Sequence, residues 1–226
     1  MHFHLPKPLH GWREFAGEVG IIVVGVLIAL AAEQVVETMR WKAEVADARK
    51  SLDAQLALSK STAIERLKRE ACIDRELDWL QDVIDSPGRR RVVKVRLAPI
   101  RLWSTSGWES ATASGAVAHM KPEVRDRYAT LFSFTDALRD MNWKEYELQA
   151  SVRLLERNRP LTPTAVDRLS DDISRLRSLN FILSIGARQW LDEARPLHLA
   201  ITPEDVADLK RAEICLMPDQ QPPKAA

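Results

Sequence analysis

The side chains best able to do chemistry are concentrated between Trp103 and His119, in WSTSGWESATASGAVAH. Two indoles (Trp103, Trp108), a carboxylate (Glu109), a hydroxyl (Ser114) and an imidazole (His119) fall within seventeen residues. Aromatic walls with a few convergent polar groups are the usual makings of a small-molecule pocket, so these five are the candidate ligand-binding residues. The same stretch also reads as packing. At helical spacing Trp108, Ala111, Gly115 and Ala118 share one face, narrow enough for a neighbouring backbone to close on it. Ser104 or Thr105 can cap the start of that helix.

Reactive chemistry is harder to find. There is no H-E-x-x-H, G-x-S-x-G, S-x-x-K, phosphate-binding loop or G-x-G-x-x-G pattern, so no catalytic residue and no cofactor is expected. His2, His4 and His10 form an H-x-H-containing arm. Three histidines near a terminus read as solvated rather than as a metal site, and no metal is expected. Cys72 and Cys215 are the only cysteines, and neither has a metal-ligand spacing. One pair far apart in sequence fits a structural disulfide formed in an oxidising compartment; two unrelated buried thiols are the alternative. A formal net charge of +1 points to no nucleic-acid partner.

What positions these residues begins with Val19–Ala32, fourteen residues free of charge and proline. That is short of the roughly 20 needed to cross a bilayer core. The helical pattern, however, runs from Phe15 to Val36, interrupted by Glu18 and the pair Glu33-Gln34. Nine of the twelve residues from Val19 to Leu30 are Val, Ile or Leu, each favouring insertion by roughly 0.3 to 0.6 kcal/mol. Trp12 and Trp41 bracket the run, 29 residues or about 43 Å apart along a helix. That matches the spacing of the two interfacial belts where Trp collects. The expectation is a transmembrane helix over residues 12–39, with Trp12, Glu18 and Trp41 at the interfaces. Ala29-Leu30-Ala31 has the form of a signal-peptide cleavage site. Retention is favoured over cleavage, because no turn residue interrupts the helix there and Glu14 and Glu18 offset Lys7 and Arg13.

After a short arm (1–11) and the span, residues 40–217 read as one helical domain, and the Pro/Gln/Ala-rich 218–226 as a disordered tail. From Glu33 to Ile84 there is neither Gly nor Pro. An apolar stripe through Val45, Ala48, Leu52, Leu56, Ala63, Leu67, Leu77, Leu80 and Ile84 predicts a long amphipathic helix, with Arg49, Lys50, Glu65, Arg66 and Lys68 on its wet side. Ser59-Lys60-Ser61-Thr62 is the place where it could bend. Ser86-Pro87-Gly88 ends it. Val93, Val95 and Leu97 then alternate with Lys94 and Arg96, which predicts a short strand or extended loop. Arg89, Arg90, Arg91, Lys94, Arg96 and Arg101 give this stretch six positive charges without an acid. A further helix is predicted from Pro122 to about Arg157, with a stripe through Tyr128, Leu131, Leu138, Met141, Leu148 and Val152. Another follows from Pro163 to about Ala194, and a last short one begins at the cap-proline-acid sequence Thr202-Pro203-Glu204-Asp205. The fold class is therefore all-α: an N-terminal transmembrane helix followed by an antiparallel helical bundle with one irregular loop or short strand.

The run Gly17-Glu18-Val19-Gly20-Ile21-Ile22-Val23-Val24-Gly25-Val26-Leu27-Ile28-Ala29-Leu30 resembles the N-terminal signature of single-pass bacterial membrane proteins with a Gly-Glu-led GVLIAL span. Trp108-Glu109-Ser110-Ala111 and the surroundings of Cys72 resemble the proteobacterial members. The resemblance implies a cell-envelope location, but no activity and no catalytic residue. Glu18 belongs to that signature, either as a functional intramembrane acid or as a first-turn interfacial one.

These readings converge on an inner-membrane protein with a periplasmic helical domain that acts as an interaction or scaffold module. Its expected partners are the membrane and another envelope protein, or a second copy bound through the span. A ligand-sensing domain built on Trp103–His119 is the second reading, and an envelope hydrolase without a recognisable motif the third. On sidedness the signals conflict. Arg40, Lys42, Arg49 and Lys50 follow the span and lean towards a cytoplasmic domain, whereas the cysteine pair leans towards export.

Overall fold

The computed structural model describes residues 11–86 and 91–211. The histidine arm, Pro87–Arg90, Cys215 and the 218–226 tail lie outside the described residues. Five α-helices are present among the described residues: α1 (Trp12–Asp85), α2 (Ser106–Ala113), α3 (Pro122–Val152), α4 (Pro163–Ala194) and α5 (Pro203–Arg211). There is no strand among them. The chain forms two compact units, Met1–Asp47 and Ala48–Ala226.

The first unit is the N-terminal part of α1. It starts at Trp12, as the proline-rich arm before it requires. From Phe15 to Arg40 every described residue is exposed, including Ile21, Ile22, Leu27, Ile28 and Leu30. α1 is long and apolar enough near the N-terminus to cross a membrane. Trp12 and Glu18 are exposed; Trp41 is half-buried and donates Nε1–H to Glu37 at 3.4 Å. The Arg40 guanidinium lies 5.1 Å over the Trp41 ring.

In the second unit the rest of α1 packs with α3 and α4. The polar run Ser59–Thr62 does not break α1, because Ser59 and Thr62 turn their hydroxyls back onto the Gln55 and Leu58 carbonyls. Pro122 and Pro163 begin α3 and α4 as expected, where the missing N–H costs no helical bond. Thr162 caps α4 by accepting from Ala165 N. At α5, Thr202 and Asp205 cap each other reciprocally, with side chain to backbone in both directions.

Paired contacts fix the directions of the helices. Gln81 meets Ser170, Asp74 meets Asn180 and the Lys60 ammonium meets the Leu199 carbonyl, so α4 runs antiparallel to α1. Trp190 meets Thr135, and a Cβ on Gly186 would lie 2.8 Å from Leu138, so α4 is antiparallel to α3 as well. Tyr128 meets Asp53 and Glu145 meets Arg66, which makes α1 and α3 parallel. A plain up-and-down order would have reversed α3. The segment from Arg91 to Thr105 is responsible, because it carries the chain back along α1 before α3 begins.

That crossover is extended but is not a strand. Its backbone groups are satisfied by side chains of the helices it crosses. Asn158 brackets Val92, accepting from N and donating to O, each at 2.8 Å. Glu156 accepts from Val95 N, Glu76 from Arg96 N and Asn142 from Arg101 N, while Gln149 donates to the Ala98 carbonyl. This meets the requirement that buried backbone be paired without a neighbouring strand. Burial follows every third residue, Val92, Val95 and Ala98, with Val93 at 80 % exposure. A three-residue period is that of a polyproline-like chain, not the period of two that Val93, Val95 and Leu97 suggested. The three inward residues join Leu77, Leu80 and Ile173 in the core. Burial holds the Glu76 carboxyl above the usual range, against the opposing bond from Arg96 N.

Candidate functional site

Beneath the crossover lies a buried polar cluster to which each of the three long helices contributes. Arg66 of α1 donates through both terminal nitrogens to Glu145 of α3, at 2.7 and 2.8 Å, and also to Asn180 Oδ1 of α4 at 2.7 Å. Their exposures are 8 % for Arg66 and 1 % for Glu145. Asn142 donates to Glu145 at 3.3 Å. Asn180 spends its amide on the Glu70 carbonyl and Asp74. A fork-to-fork pair of this kind adds geometric specificity to charge neutralisation.

Towards the surface the cluster continues through Glu65. Arg101 of the crossover donates Nε and a terminal nitrogen to Glu65 at 2.6 and 2.7 Å, and Arg69 donates from one turn along at 2.9 Å. Burial pushes the Glu65 carboxyl up, but the Arg101 bond and charge, joined by Arg69, outweigh it and hold it below the usual range. Its folded pKa is therefore below its unfolded one. Glu65 contributes stability above the unfolded pKa and loses it as pH falls through the folded pKa. Glu65→Gln is expected to cost roughly 1 kcal/mol at pH 7, with a gap from wild type that closes as pH is lowered below 4. Urea melts of both proteins across that range measure it.

Arg66, Arg69 and Arg101 line a cavity with Trp103 and Asn142, whose volume is about 20 Å³. That is room for roughly one water molecule. Glu145 has both oxygens engaged by Arg66, and Glu65 has both engaged by Arg69 and Arg101. The carboxylates here are each engaged by guanidinium groups, which tie α1 to α3 and to the crossover.

The five residues predicted as a ligand site are divided. Trp103 is buried and lines the arginine cavity. Trp108 is half-buried and stacks on Phe132, with ring centroids 5.8 Å apart and planes 19° apart. Glu109 is exposed and accepts from Thr105 Oγ1; Ser114 is exposed and donates to the Ala111 carbonyl; His119 is exposed at the end of a short 3-10 turn. None of these last four lines the cavity that Trp103 lines. The shared face drawn through Gly115 and Ala118 does not form, because α2 stops at Ala113 and Gly115 takes a left-handed φ of 82°. Thr105 stands at the N-cap of α2, as expected, although its hydroxyl serves Glu109 rather than a backbone N–H.

The polar cluster was the part that periodicity did not disclose. Arg66, placed on the wet side with Glu65 and Lys68, is buried instead. On α3 the buried positions beyond Leu138 are Asn142, Glu145, Gln149 and Val152, one step from the Met141 and Leu148 of the predicted stripe. The available signal was the continuation of each stripe through a polar residue: Ala63–Arg66, Leu138–Asn142–Glu145 and Leu176–Asn180. Compared with protein-family models, curated proteins and solved structures, the chain matches none.

Proposed function

We propose that this chain is a single-pass bacterial inner-membrane protein whose helical bundle lies in the periplasm and serves as an interaction or scaffold module. The observation that carries the reading is the wholly exposed apolar surface of α1 from Phe15 to Val36. Monomeric water-soluble proteins rarely leave a contiguous apolar surface this large uncovered, and a membrane is a common reason for one. The Trp12 and Trp41 positions support the same reading, and so does the resemblance of Gly17–Leu30 to envelope proteins. Periplasmic sidedness rests on the Cys72 and Cys215 pair, which favours an oxidising compartment.

A scaffold is favoured over a sensor built on Trp103–His119 because the cavity beside Trp103 is the size of a water molecule, well below the 300–1,000 Å³ of typical ligand sites, and the open groove of about 760 Å³ between α3 and α4 includes none of those five residues. Purification of the full chain from detergent-solubilised membranes tests this. A stoichiometric protein partner is the expected result. A retained small molecule with no protein partner would support sensing instead, and overturn the scaffold reading.

A further inference from the structure

We propose that the N-terminal part of α1 pairs with the same segment of a second copy of this chain, parallel and in register, along one heptad seam. The proposal rests on the membrane-anchor reading. Counting in alternate steps of four and three from Glu18 gives Ile22, Gly25, Ala29, Ala32, Val36, Met39, Ala43 and Ala46. Every one of these positions is exposed in the single chain. Inside the apolar span such a series carries little information, since nearly every residue there is apolar. Its force comes from residues 37–47, where the chain turns polar and the seam collects Met39, Ala43 and Ala46, while the two other apolar residues there, Trp41 and Val45, fall outside it. Apolar a and d positions continued into a polar stretch, with charges at e and g, are the pattern of a two-helix seam.

Two further observations say what occupies it. At a 100° turn per residue the half-buried Trp41 and Val45 lie on the opposite side of the helix from Val36, Ala43 and Ala46. The seam is therefore a separate face of the segment. The flanking charges are self-complementary. With Ala43 at position a and Ala46 at d, Lys42 falls at g and Asp47 at e. In a parallel pair Lys42 of each copy then faces Asp47 of the other, twice by symmetry. Both side chains are exposed. Copies inserted by the same span enter the bilayer in the same direction, which supplies the parallel orientation. Small residues at Gly25, Ala29 and Ala32 permit close backbone approach in lipid. A Cβ at Gly25 would meet nothing within 4 Å in the single chain, so its own fold does not demand glycine there.

The test uses the full chain in phosphatidylcholine vesicles, first shown to resist alkaline extraction. On a Cys72→Ser, Cys215→Ser background, single cysteines replace Met39, Ala43 or Ala46 on the seam, or Glu37 or Glu44 beside it, before oxidation. At least fivefold more cross-linked dimer is expected at the three seam positions, and equal yields at all five would overturn the pairing. With the native cysteines retained, sedimentation in detergent provides an independent reading. Lys42→Asp or Asp47→Lys alone is expected to weaken association by roughly two- to tenfold, and the combined exchange to restore it. Identical association in all four proteins would likewise overturn the proposal. Extraction by alkali would defeat the anchor reading itself, whereas an anchored protein without seam cross-links defeats only the pairing.

Discussion

Arg66→Ala is expected to lower the unfolding free energy by about 3–5 kcal/mol, a large share of what holds a domain of this size together. The loss has two sources. The substitution removes three short hydrogen bonds that tie α1 to α3 and α4. It also leaves the Glu145 carboxylate, 1 % exposed, without its counter-charge. A buried ion pair is costly to break but not necessarily costly to replace. A simultaneous Arg66→Met, Glu145→Leu change removes both charges and fills the space, and its stability is expected to lie within about 1–2 kcal/mol of wild type. Urea unfolding of the three proteins in detergent, followed by far-UV circular dichroism, separates these cases. If the single variant were no less stable than the double, the pair would not be buried as described.

The second large effect concerns the cysteines. Reduction, or Cys72→Ser, is expected to destabilise the folded chain by about 5 kcal/mol in the chain-entropy model of a bridge closing more than 140 residues. Cys72 is half-buried on α1. Cys215, its proposed partner, lies four residues beyond Arg211 in the sequence. Leu209 is buried, so α5 is docked rather than loose. Thiol titration under denaturing, non-reducing conditions should find no free thiol, and urea midpoints with and without reductant should differ. Two titratable thiols and unchanged midpoints would remove the bridge and, with it, the main argument for export.

Sequence periodicity was a good guide to the helices and a poor one to their centre. The starts at Trp12, Pro122 and Pro163 were legible because proline and capping chemistry act locally. The stop near Asp85 was legible for the same reason. What escaped was set by tertiary contact. Arg66, Asn142, Glu145 and Asn180 are joined by hydrogen bonds across three helices, with the buried Arg66 Nε left without a partner, and no single helix carries that information. The crossover was legible as an extended loop, with a short strand as the alternative, but the contacts that hold it were not. Its alternation of Val and Lys resembles a strand, but Asn158, Glu156, Glu76 and Gln149 take the hydrogen bonds that a partner strand would have taken. Glu109, Ser114 and His119 share a short stretch with Trp103, yet the turn at Gly115 leaves them at the surface around α2.

The same contacts explain how an α1 of 74 residues can have two roles. From Phe15 to Arg40 its apolar residues have no cover from their own chain, Trp41 and Val45 are half-buried, and from Leu52 onward the apolar residues enter the bundle core. The account stands or falls on the medium that covers the first of these stretches. Alkaline carbonate extraction of cell membranes, combined with protease digestion of intact spheroplasts, tests it most directly. The account predicts that the full chain stays in the membrane pellet and that its bundle is digested from outside. Release into the soluble fraction would contradict the anchor, and a pelleted chain protected until the cells are lysed would contradict the periplasmic placement.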